Sequence, residues 1–190
     1  MTPAASLERI RALTTAVVAR APHLGPLAGQ PVSEGELADF EARQGACLPD
    51  GYRAFILAFG DGALVPQVIH KRARLLEEHP HDPVWRSFAG PMAGVFPHSG
   101  TTPIALPWDD AADDYVRQDA MRGTLCLGSA GCDVIRILVV TGPARGTVWT
   151  FVPGLDTELH PSGLMFLEWC VAGWEQALAD LGGRSPTPGD

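Results

Sequence analysis

The sequence predicts an α+β domain in which several helices pack against an antiparallel or mixed sheet. Three observations carry that prediction: helical periodicity recurs in the first third of the chain, β-branched runs separated by glycine turns fill the last third, and a final helical pattern closes it. Helices grouped ahead of strands argue for segregated layers over alternating βαβ units. The length, 190 residues, suits one globular domain with a proper core, and 46% hydrophobic residues can fill it.

The elements follow in order. Leu7, Ile10, Thr14 and Val17 share one helical face, and the pattern stops at Ala21-Pro22. A link rich in proline and glycine runs over residues 22–31. Ser33 stands three residues before Glu36, a capping box that opens a helix carrying Leu37 and Phe40 inward and ending near Gly45. Leu48-Pro49-Asp50 starts the next helix, where Tyr52, Phe55, Ile56 and Phe59 fall at i, i+3, i+4 and i+7. Gly60-Asp61-Gly62 ends it with turn chemistry. Residues 65–69 read as a short strand with Pro66 at its start.

Over residues 70–123 the pattern weakens. Residues 72–78 fit a short helix, residues 109–121 fit another short helix or an exposed acidic turn, and residues 80–107 read mostly as loop. Order returns with a strand at Leu125-Cys126-Leu127, a turn over residues 128–131, and a β-branched apolar run over residues 134–140 that suits a strand buried on both faces. A glycine turn then leads to a strand over residues 147–152, with Val148 and Trp149 on opposite faces. Ser162 is expected to cap the last helix, whose Phe166, Trp169, Cys170, Gly173, Ala177 and Leu181 share a face.

Charge narrows the function. The net charge is -8 and Lys71 is the single lysine, so the clustered cations that track phosphates are missing and nucleic-acid binding is disfavoured. An acidic surface favours basic partners instead. Cys47, Cys126, Cys132 and Cys170 form no C-x-x-C pair and have no histidine at zinc-finger spacing, which suits reduced thiols in a cytoplasm. The opening residues lack a basic stretch before an apolar run, and no apolar stretch approaches the ~20 residues of a membrane span, so neither secretion signal nor membrane anchor is expected.

The ordered series of motifs resembles the Smi1/Knr4 (SUKH) family. Glu36, Phe40, Glu41, Leu48-Pro49, Tyr52, Phe55 and Gly60-Asp61-Gly62 stand where that family has its opening helix pair and glycine turn. The glycine turn of residues 128–131, the apolar run of 134–140, the turn of 142–146 and Val148-Trp149 are similar to its later strands. Phe166, Trp169 and Trp174 are similar to its closing helix. The resemblance spans roughly residues 33–178, with a gap over 70–123. It implies a SUKH-like domain over residues 32–182, preceded by an N-terminal helix and link (1–31) and followed by a polar tail (183–190). It also implies a non-catalytic, protein-binding role needing no cofactor: bacterial members are typically immunity proteins that neutralise a toxin, and fungal members are regulatory scaffolds.

Ser129 lacks the G-x-S-x-G spacing of a nucleophile elbow, and residues 128–131 lack the lysine of a phosphate loop; both read as turn residues. Cys132 beside Asp133 reads as a small buried thiol. His79 and His81 with Asp82 offer two imidazoles and a carboxylate, the basis of a third reading as a metal-dependent hydrolase, although Pro80 holds them in extended geometry and solvated loop residues are the plainer account. The most informative cluster is Asp109, Asp110, Asp113 and Asp114, four carboxylates in six residues flanked by Trp108 and Tyr115. Such a cluster can steer a basic toxin domain and fix its register, with aromatics as anchors, or it can be an acidic helix start stabilised by the helix dipole. Trp85, in a stretch without core period, is a further candidate anchor for a partner, or equally a plug beneath its own loop.

Overall fold

The computed structural model describes residues 1–24, 28–66, 92, 94–106, 121–130, 134–151 and 158–183. Helix α1, Pro3–Arg20, starts where Thr2 Oγ1 accepts the Ala5 N–H, with proline at the first helical position, where a missing N–H removes no hydrogen bond. It ends at Arg20, two residues before Pro22, as the periodicity predicts, and buries Ile10, Leu13, Thr14 and Val17. Helix α2, Glu34–Gln44, opens on the complete capping box of Ser33 and Glu36 and ends on Gly45 at φ 64°. That left-handed conformation would cost a residue with a Cβ about 1–2 kcal/mol. Helix α3, Asp50–Phe59, buries Tyr52, Phe55 and Ile56.

Among the described residues five strands follow: β1 (Ile104–Ala105), β2 (Thr124–Ser129), β3 (Ile135–Val139), β4 (Thr147–Phe151) and β5 (Glu158–Met165). They form one sheet in the order β1-β5-β4-β3-β2, and every pairing is antiparallel. Helix α4, Phe166–Gly183, leaves β5 without a loop. The class is α+β, as the sequence predicts, and the sheet is antiparallel throughout.

The side chains of the sheet sort by the period of two into two cores. Leu125, Leu127, Leu138, Val140 and Val148 point to the helices, where they join Leu37, Phe40, Tyr52, Phe55 and the buried face of α4. Ile135, Ile137, Val139, Trp149, Phe151 and Leu159 point the other way, to Phe96, Leu106 and Met121. The nearly unbroken apolar run of β3 follows from this, because both of its faces are covered. Phe166 is the keystone of the helical side, with edge-on contacts to Tyr52 (4.9 Å) and Phe55 (5.3 Å). Helix α1 lies along α4 in the same core, and Arg9 pairs with Glu175 at 2.8 Å across their exposed sides.

Four local readings are corrected. Ser162 does not cap a helix; it lies in β5, and its Oγ accepts the Leu164 N–H at 3.2 Å. The pairing of β4 with β5 continues to Thr147 opposite Met165, so the strand holds these residues, and the Glu168 carboxylate accepts the Met165 N–H at the true start of α4. Gly128 and Ser129 belong to β2, not to a turn, because the pairing with β3 resumes past a register shift. Val65 and Pro66 lie in no strand, and residues 67–69 fall outside the described residues. Finally, β1 arises within a stretch read as loop; its two residues pair with Leu159 and Glu158.

Candidate functional site

Trp85, Trp108, Asp109, Asp110, Asp113, Asp114 and Tyr115 lie outside the described residues, as do His79, His81, Asp82, Cys132 and Asp133. The structure does describe the two roots of the acidic stretch. Leu106, two residues before Trp108, and Met121, six residues after Tyr115, are both buried in the core away from the helices. The Thr124 hydroxyl donates to the Met121 carbonyl at 2.6 Å, closing the turn into β2. Since β1 and β2 are opposite edges of the sheet, residues 107–120 are part of the connection from one edge to the other.

The residues that carry the family resemblance prove to be ties within the fold. Glu36 accepts the Ser33 N–H at 2.8 Å, and that bond, with the one from the Ser33 hydroxyl, holds its carboxyl below the ordinary glutamate value. Glu41 accepts the Leu48 N–H at 2.8 Å, which fixes the approach to α3. Arg53 reaches both Glu34 and Glu41, and the hydrogen bond to Glu34 contributes most to raising its pKa. From the β3–β4 turn, Arg145 donates to the Leu48 carbonyl at 2.7 Å and so joins sheet to helices. Asp61 is 3% exposed, and its backbone exchanges two 2.8 Å hydrogen bonds with Gln30. Each of these positions serves folding physics first.

Among the described residues, a recess opens beside Asp61, lined by Tyr52, Phe55, Ile56, Val65 and Leu127 among others. Its enclosed space of about 20 Å³ holds on the order of one water, too little for a substrate. Across the helix-facing side of the sheet runs a polar row that the sequence reading missed: Arg136 lies opposite Thr150, and Thr150 opposite His160. Arg136 donates to Thr150 Oγ1, and His160 Nε2 lies 3.9 Å from the Glu158 carboxylate. Burial lowers the pKa of Arg136, yet a guanidinium remains charged at any physiological pH. The signal for this row was present in the run of residues 134–140, where Arg136 is polar on the face shared with Leu138 and Val140.

Among the described residues, no three or more histidine, cysteine or acidic side chains gather as metal ligands. Cys126 and Cys170 are buried, Cys47 is exposed, and none of the three is in a disulfide. Among the same residues, no helix is long and apolar enough to cross a membrane. No protein-family model matches the chain, and neither characterised proteins nor solved structures give a significant match.

Proposed function

We propose that this chain is a non-catalytic protein-binding domain, SUKH-like and of the immunity type, which neutralises a basic toxin domain in the cytoplasm. The observation that carries the reading is the acidic stretch: Asp109, Asp110, Asp113 and Asp114 between Trp108 and Tyr115, in a chain of net charge -8. Carboxylates grouped this closely raise the encounter rate with a cationic surface, and aromatics beside them supply contact area once water is expelled. Leu106, two residues before Trp108, and Met121, six residues after Tyr115, are both buried in the core on the side of the sheet away from the helices. The motif order over residues 33–178 supplies the immunity class; its residues build the domain, and the acidic stretch supplies the specificity.

The test begins with a tagged pull-down from the native cells, followed by mass spectrometry. A single co-purifying protein with a toxin-like, basic domain, held near 1:1, supports the proposal; recovery of abundant housekeeping proteins alone counts against it. With that partner in hand, replacing all four aspartates by asparagine should slow association by about 10-fold or more at low salt and flatten its salt dependence. Unchanged association kinetics would remove the acidic stretch from the interface.

A further inference from the structure

No further inference is drawn: the strongest candidate, the polar row of Arg136, Thr150, His160 and Glu158 crossing β3, β4 and β5 on the helix-facing side of the sheet, carries nothing because nothing among the described residues shows what covers it.

Discussion

Substituting Gly29 by alanine tests how firmly the N-terminal link is built into the domain. Gly29 donates to the Phe59 carbonyl, and its neighbour Gln30 exchanges two hydrogen bonds with Asp61, all three at 2.8 Å. A Cβ at Gly29 would lie 2.0 Å from the Asp61 carbonyl oxygen and 2.5 Å from the Ala63 nitrogen. Both are main-chain atoms that cannot rotate aside. Relief requires the two segments to part by about 1.5 Å, since non-bonded contacts sit near 3.5 Å. That displacement takes all three bonds beyond hydrogen-bonding range. At about 1 kcal/mol each the loss is about 3 kcal/mol, and more wherever a group stays buried and unpaired. Alanine also narrows the unfolded ensemble, which returns about 0.4–1 kcal/mol. The net expectation is destabilisation by about 2–4 kcal/mol. Urea unfolding followed by tryptophan fluorescence should show a lower midpoint with unchanged slope. Gly182→Ala is the control: beyond its own helix turn, no described atom lies within 4 Å of its added Cβ, and it should be neutral or slightly stabilising. A Gly29→Ala protein within about 0.5 kcal/mol of the parent, where surface changes fall, would refute the close approach of the link to the exit of α3.

Phe166→Ala should cost about 3–5 kcal/mol by urea unfolding, because its fully buried ring is shared by Tyr52 and Phe55; a loss under about 1.5 kcal/mol would deny it that central place. Ser33→Ala should cost about 1 kcal/mol through the lost cap of α2. Glu36 has a lowered folded pKa, so its share of that cap is present above the ordinary glutamate value and fades as pH falls through the folded one; Glu36→Gln should weaken the acid dependence of stability. Thiol reagents should modify Cys47 rapidly and reach Cys126 and Cys170 only on unfolding, read by mass spectrometry of digests. Burial raises the Cys170 thiol well above its ordinary value, so the unfolded chain ionises first, stability falls as pH rises above about 8.5, and Cys170→Ala should flatten that slope.

The elements legible in the sequence are those whose signals are local. The capping box of Ser33 and Glu36, the left-handed stop at Gly45 and the apolar face of α3 depend on side chains within a few residues of one another, and all three stand as read. The β3 run was legible because burial on both faces leaves an apolar sequence. Strand β5 was not, because Pro161 and Gly163 are poor strand formers and the segment is held by distant partners, β4 on one side and β1 on the other. Its register shift opposite Thr147 and Trp149 accommodates what local preference disfavours. The polar row was missed for the same reason: Arg136 and His160 are 24 residues apart in the chain and meet through Thr150 only once the strands are in register. The acidic stretch is the converse case. Its composition and charge can be read directly, since carboxylate density is a property of neighbouring residues. That its flanks, Leu106 and Met121, enter one core beside Trp149 and Phe151 was decided by tertiary packing, because burial depends on residues from strands far along the chain.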